Sequence, residues 1–261
     1  MSTPDITSFS MILAFLLLTI PIIVSIVLKL GILMTILNSV FRMSVQLFLV
    51  AIFLNYLFAW NNSLINIMWF IIMVTFATYS VVRESKLNLQ LFFKPAFFAF
   101  VLANGAILLY FNGLVVSLTN LFDAKYLIAI GGMLLGNSLN WNIVGLSNFY
   151  QNIKRDENRY LYNLSLGATQ LEGLIPYFRN SLIAALKPSI ASMATMGIVF
   201  LPGLMTGQIL SGLSPIVAIK YQIAIMVAIF ASTTLSVGLT ILVTAKTSFN
   251  DYGVIKKGVF R

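Results

Sequence analysis

Arg42 and Gln46 lie one helical turn apart in FRMSVQLFLV (41–50), a run that is otherwise almost wholly apolar. At that spacing the two side chains share a helix face. An arginine at the bilayer centre costs about 2.5–3.5 kcal/mol on insertion scales. Arg42 therefore either snorkels to the nearer interface or faces the protein interior, where it would contact carbonyls, a partner or an anionic substrate. No acidic residue lies deep in any apolar run to pair with it.

Two further stretches place polar groups in apolar sequence. GGMLLGNSLNWN (131–142) carries Asn137, Ser138, Asn140 and Asn142 after glycines that permit close helix packing. Asparagines do not comfortably face lipid, so they either bond between helices or line an aqueous path. Asn104 and the Ser232–Thr234 run read the same way. LPGLMTGQILSGLSPIVAIKYQI (201–223) combines Pro202, Gly203, Thr206, Gly207 and Gln208. Proline removes a backbone donor and kinks or opens a helix, and the freed carbonyls need partners or a wet cavity. Gly203 and Gly207 form a small-xxx-small pair suited to close helix contact. Two compatible roles follow, a tightly packed kinked span or a flexible helix lining a path with its gate. Arg42, Gln46, Asn137, Asn140, Pro202, Gly203, Thr206 and Gln208 are the candidate path residues.

Other chemistry is excluded. The chain has no Cys and no His, so zinc sites built on thiolate or imidazole and histidine general bases are ruled out. The eleven methionines suit gap filling better than soft-metal binding, and no metal site or catalytic set is expected. A Ser–Lys pair is conceivable, but Lys187 and Lys220 are expected near opposite membrane faces.

The elements that must hold these residues are membrane helices. Of 261 residues, 59% are hydrophobic and 9% charged, too little charge to cover a soluble surface. Seven apolar runs are long enough to span: 9–28, 39–59, 64–82, 96–118, 126–148, 190–210 and 222–245. They are too continuous for barrel strands. The expected fold is an all-α polytopic bundle of about seven helices, a single transmembrane domain over 1–261 in the cell (inner or plasma) membrane.

Net charge is +9. It is assigned to topology rather than to nucleic acid, because Lys and Arg gather in cytoplasmic loops. One set of loops holds Lys29, Arg83, Lys86, Lys94, Lys154, Arg155, Arg159, Arg179 and Lys187. The tail on that side adds Lys246, Lys256, Lys257 and Arg261, while the opposite side holds Lys125 and Lys220. This places the N-terminus outside and the C-terminus in the cytoplasm. The one long loop, 149–189, is then cytoplasmic. Within it Leu161, Leu164, Ala168, Leu171, Ile175, Phe178 and Leu182 recur at helical spacing, interrupted by Gly167 and Pro176. Such a segment either lies on the bilayer or docks a cytoplasmic partner.

Leu166-Gly167-Ala168-Thr169 resembles the core of the cytoplasmic loop of ABC importer permeases, with Leu161, Tyr162 and Asn163 where that loop has Glu-Ala-Ala. A more extensive resemblance is to the FetB-type ABC transporter permeases, described as iron-export permeases with plant relatives linked to aluminium tolerance. It is carried by residues 201–223, FRMSVQLFLV, GGMLLGNSLN, LSLGAT (164–169) and RNSLIAALKP (179–188), in order along most of the chain. The resemblance implies a permease subunit exporting iron or another metal. Its coupling segment would centre on Leu164, Leu166, Gly167, Ala168, Thr169 and Leu171. No phosphate-binding loop of the G-x-x-x-x-G-K-[ST] type occurs, so ATP and Mg would sit on a separate ATPase, with two permease copies in the assembly. The competing expectation is a secondary transporter or channel, although such carriers tend to bury acids or His in their spans.

Overall fold

The computed structural model describes residues 7–250, 252–256 and 258–260. Ten α-helices follow in order: α1 (Ser8–Leu16), α2 (Thr19–Val27), α3 (Leu33–Trp60), α4 (Ser63–Glu84), α5 (Leu89–Tyr110), α6 (Ala124–Arg155), α7 (Glu157–Ser165), α8 (Gln170–Thr195), α9 (Gly203–Leu210) and α10 (Pro215–Ser248). A π-helical turn, Phe111–Val115, extends α5. Polar residues set the helix starts. Asn62, Asn88, Asp123 and Thr169 each cap the first turn of the helix that follows, satisfying amides that a helix leaves unpaired.

Six stretches are long and apolar enough to cross a membrane: Phe9–Val27, Leu33–Trp60, Ser63–Glu84, Leu89–Val115, Ala124–Arg155 and Pro215–Ser248. They coincide with six of the seven expected spans. The seventh, 190–210, is not one helix. It consists of the end of α8, a turn at 196–202 and short α9. The long loop expected over 149–189 is likewise replaced by the end of α6, by α7 and by most of α8.

The 26-residue α8 is about 39 Å long at 1.5 Å per residue, and it lies along α6 and α10. Its first turns meet Phe149 and Ala245, Ala185 packs beside Gly145 and Val237, and beyond its last turn Met196 meets Gln222. It thus passes from one end of the bundle to the other. This corrects the expected position of Lys187, which lies part-way along a crossing helix and not in an end loop.

The packed core joins α4, α5, α6, α8 and α10. Helix association in lipid depends on close packing and polar contacts more than on a hydrophobic drive, and the buried faces are accordingly rich in small residues. On α8 the buried face repeats every fourth residue as Gly173, Tyr177, Ser181, Ala185 and Ser189. On α5 it includes Ala96, Ala99, Phe100 and Ala103. By contrast α3 meets the core only through its last turns, where Leu57 packs with Ala124 and Ile128. A polar lock holds that junction. Asn61 adopts a left-handed conformation (φ 40°). Its Nδ2 donates to Asp123 (2.9 Å) and its Oδ1 accepts from the Ala124 amide (2.8 Å).

Apart from Arg42 and Lys187, the cations sort largely to the two ends of the bundle. Arg83, Lys86, Lys154, Arg155, Lys246 and Lys256 gather at one end, where the tail pairs with Leu87 and Lys154 lies over the Phe260 ring. Lys125 and Lys220 start α6 and α10 at the other. Lys257 and Arg261 lie outside the described residues.

Candidate coupling surface and membrane path

The Leu-Gly-Ala-Thr stretch is the turn between α7 and α8. Leu166 ends α7, and Gly167 takes φ +95°, a left-handed conformation that glycine adopts without a Cβ penalty. An added Cβ there would meet nothing within 4 Å. Gly167 is thus needed for the turn, and nothing in the chain approaches its backbone closely. Thr169 then forms a capping box: its backbone amide donates to Glu172 Oε2 (2.7 Å), and the Glu172 amide donates to Thr169 Oγ1 (3.3 Å). The hydrogen bond from the Thr169 amide, then that from its hydroxyl, hold the Glu172 carboxyl below its ordinary pKa. This fixed turn presents Leu166 (69% exposed) and Leu171 (70% exposed), with Tyr162 and Ile175 beside them. Between Leu166, Ala168 and Glu172 lies a cleft of about 220 Å³. Leu164 points the other way, toward Gly253.

The tail braces this turn from behind, a feature that no sequence signal singled out. The Tyr160 hydroxyl, at the buried face of α7, donates to the Gly253 carbonyl (2.9 Å). Burial, then the neighbouring Tyr177 phenol, push the Tyr160 pKa up to about 12. The tail continues to the α4–α5 turn, where the Asn88 amide donates to Val259 O (3.0 Å) and the Asn88 side chain to Gly258 O (3.0 Å). Val259 and Leu87 are fully buried. One strap therefore links α7, the end of α6 and the α4–α5 turn.

Inside the bundle a polar ladder joins α5, α6 and α10. Asn104 Oδ1 accepts from Ser138 Oγ (2.9 Å) and Ser232 Oγ (2.8 Å). Asn142 Nδ2 donates to Ser236 Oγ (2.9 Å). Nearer the basic end, Tyr150 and Ser248 hydroxyls pair at 2.7 Å. All are buried, so here the polar residues bond between helices. Asn137 and Asn140 are not in the ladder: Asn137 bonds back to Met133 O of its own helix, and Asn140 is exposed.

The remaining path candidates do not converge. Arg42 and Gln46 stand exposed on α3. Pro202 precedes α9 in an extended conformation, and its carbonyl accepts from the Thr206 amide and hydroxyl. Gly203 and Gly207 are exposed with nothing near a Cβ position, so no helix among the described residues uses their small-residue face. Gln208 lies with Lys125, Tyr126 and Tyr221 along a cleft of about 360 Å³ at the end opposite the basic one. The breakers of 197–215 form turns at that end of the bundle. Gly197 and Gly212 supply left-handed turns and Pro215 starts α10.

The fold defines an all-α, multi-pass integral membrane protein, in which the described residues contain no His/Cys/Asp/Glu group able to hold a metal ion. Residues 8–249 match the family model described as "Uncharacterised protein family (UPF0014)", and the chain belongs to that family. It is 31% identical over 253 residues to the "Probable iron export permease protein FetB" of Escherichia coli, covering 96% of this chain and 95% of that protein. It is 26% identical to the membrane protein YjkA of Bacillus subtilis, over 83% of this chain and 85% of that one. The plant protein ALUMINUM SENSITIVE 3 of Arabidopsis thaliana is 31% identical over 76% of this chain and 71% of its own length. No solved structure matches.

Proposed function

We propose that this chain is the membrane permease subunit of an ATP-driven ABC transporter that exports iron or another metal, free or chelated. Two copies would face each other across the path, each docked on a separate ATPase that binds ATP and Mg. The basic end, with the C-terminus, would face the cytoplasm, in keeping with the positive-inside rule. The supporting observation is the α7–α8 turn. At the basic end it presents Leu166 and Leu171 to solvent on a backbone fixed by Gly167 and the capping box. Exposed apolar side chains held on a rigid turn suit a docking contact. The likeness to a protein named as a probable iron export permease points the same way.

The test is purification from native membranes in mild detergent. The expected result is one nucleotide-hydrolysing subunit per permease, lost in the Leu166→Glu/Leu171→Glu variant while the bundle remains inserted. A permease recovered alone, even after crosslinking, would overturn the assignment in favour of a carrier or channel.

A further inference from the structure

α8 carries two cations on the side facing away from the bundle. Its buried stripe, Gly173 to Ser189, faces α6 and α10, while Arg179, Asn180, Ile183 and Lys187 are exposed on the opposite side. Depth follows from the neighbours. Ala185 packs at the level of Gly145 and of Val237 to Ile241. Lys187, two residues on, is therefore about 13 Å along the helix axis from Lys246 and about 26 Å from Lys220, at 1.5 Å per residue. That is roughly a third of the way between the charged ends, well inside a hydrocarbon core of about 30 Å.

Arg42 lies at a matching level. It precedes the Asn61–Ala124 junction by nineteen residues, about 28 Å of helix, which is about the distance of Lys187 from that junction. Both side chains are exposed. A lysine or arginine held against lipid at such depth is unfavourable. The outward face of α8 mixes Arg179 and Lys187 with Ile175, Ile183 and Ile190, and its cations fit water better than lipid.

Along this face of α8 the charged groups are Glu172, bound into its cap at the helix start, and then Arg179 and Lys187. Glu84, Asp123, Asp156, Glu157 and Glu172 lie at helix ends, and Asp5 and Asp251 fall outside the described residues. The one ion pair among the described residues is Arg155–Asp156, on the surface at the basic end. Beyond Glu172, no carboxylate, thiolate or imidazole among the described residues of α8 is placed to receive a bare metal cation, and the cations of Arg179 and Lys187 would repel one.

We infer that the outward face of α8, with Arg179, Asn180 and Lys187, lines the aqueous path and takes a small, multiply charged anion bearing carboxylate or phosphate groups. This rests on the permease assignment and gives it a substrate class: a metal carried here travels as a negatively charged chelate. Fixed charge of one sign in a low-dielectric cleft concentrates counter-ions and raises their encounter rates.

The chain contains no cysteine, so one introduced thiol reports one position. Asn180→Cys, and Ile183→Cys as a second site, are reconstituted in phosphatidylcholine vesicles. Each is treated with an anionic (sulfonatoethyl) and a cationic (trimethylammonioethyl) methanethiosulfonate, and rates are normalised to free cysteine. Phe98→Cys, on an exposed apolar face of α5, serves as the lipid-facing control. The anionic reagent is expected to react about tenfold faster at Asn180→Cys, as a focused field predicts. Arg179→Gln with Lys187→Gln removes that preference, millimolar citrate or pyrophosphate slows labelling, and ferrous ion alone does not. Phe98→Cys reacts with neither reagent.

Equal or faster reaction with the cationic reagent overturns the inference, as does failure of both sites to react. Protection by phosphatidylglycerol in the vesicles, with no effect of citrate or pyrophosphate, also overturns it, since the cations would then hold lipid headgroups. Labelling requires no ATPase. An anion preference with no ATPase recovered from membranes would sink the ATP-driven assignment and leave the anionic path standing. An ATPase recovered with no anion preference would do the reverse.

Discussion

Asn104 and Arg42 are both polar residues in apolar helices, and the chain treats them in opposite ways. Asn104 sits where α5, α6 and α10 meet, fully buried, with its carboxamide oxygen shared by two serine hydroxyls. Arg42 stands on α3, which has one buried residue in 28, and is exposed among apolar neighbours. The core satisfies its polar groups internally. The outer faces of α3 and α8 do not, so something beyond one chain must satisfy them. A polar group inside the ladder reports on how the protomer holds together. A polar group on α3 or α8 reports on what the chain meets beyond itself.

Glycine substitutions give the largest contrast. A Cβ at Gly145 would stand 2.7 Å from Val237 Cγ1 and 3.6 Å from Ala185, at the junction of α6, α8 and α10. Gly145→Ile should wedge that junction and destabilise the protomer by about 3 kcal/mol, the upper part of the usual overpacking range. Gly136, nine residues earlier on α6, has nothing within 4 Å. Gly136→Ile should leave the protomer's thermal midpoint in detergent within a degree or so, as open-site substitutions cost little. Equal losses at both sites would erase the distinction between closed and open faces.

The ladder gives the next effect. Asn104→Ala leaves the Ser138 and Ser232 hydroxyls without their acceptor and should cost about 1–3 kcal/mol, since interhelical bonds in membranes average roughly 0.6 and reach about 1.7 each. Gln46→Ala, on the exposed face of α3, should leave the stability of the chain unchanged and, on the proposed ATP-driven reading, lower transport. A fall in stability for Gln46→Ala matching that of Asn104→Ala would mean that α3 is held more tightly than its packing implies.

The strap offers a smaller and more local contrast. Tyr160→Phe removes the bond to the Gly253 carbonyl at 2.9 Å and keeps the ring against Tyr177 and Phe249. A loss of about 1 kcal/mol is expected, confined to α7 and the tail in hydrogen exchange. ATP-coupled transport should fall further than protein abundance does. Equal falls would limit the strap to a stabilising role.

Much of this was legible in the sequence. Six spans, the charge sorting and the polar content of residues 131–142 follow from composition and periodicity. The α8 crossing did not, because Glu172, Arg179, Asn180, Lys187 and two prolines hold its mean hydropathy below that of a span. A hydropathy scan weighs composition, whereas α8 is placed by shape. The signal present was the four-residue repeat of mostly small residues from Gly173 to Ser189, a close-packing stripe. The apolar repeat through Leu171 and Ile175 falls on exposed surface instead. The proline–glycine stretch at 197–215 was visible as a break, but no local signal gives the short helix and turns that the chain forms between α8 and α10. The strap depends on contacts about 90 to 170 residues apart in sequence, which no local pattern carries.

The smallest predicted effect concerns pH at the α7–α8 turn. Glu172 titrates below its ordinary value because its charged form accepts bonds from the Thr169 amide and hydroxyl. For a carboxyl whose folded pKa is depressed, the contribution is complete above the unfolded value of 4.5 and is lost as pH falls through the folded one. Protection of the amides of Thr169 and Glu172, corrected for intrinsic exchange, should therefore hold from neutral pH to about 5 and decline below it. Glu172→Gln keeps the capping geometry without the titrating proton, so its protection should be lower at neutral pH and flat across the same interval. A decline in the Gln variant as steep as in the parent would assign the acid sensitivity to another group. The turn would then owe its shape to Gly167 and the strap, and the exposed leucines would be held by packing from behind instead of by the cap in front.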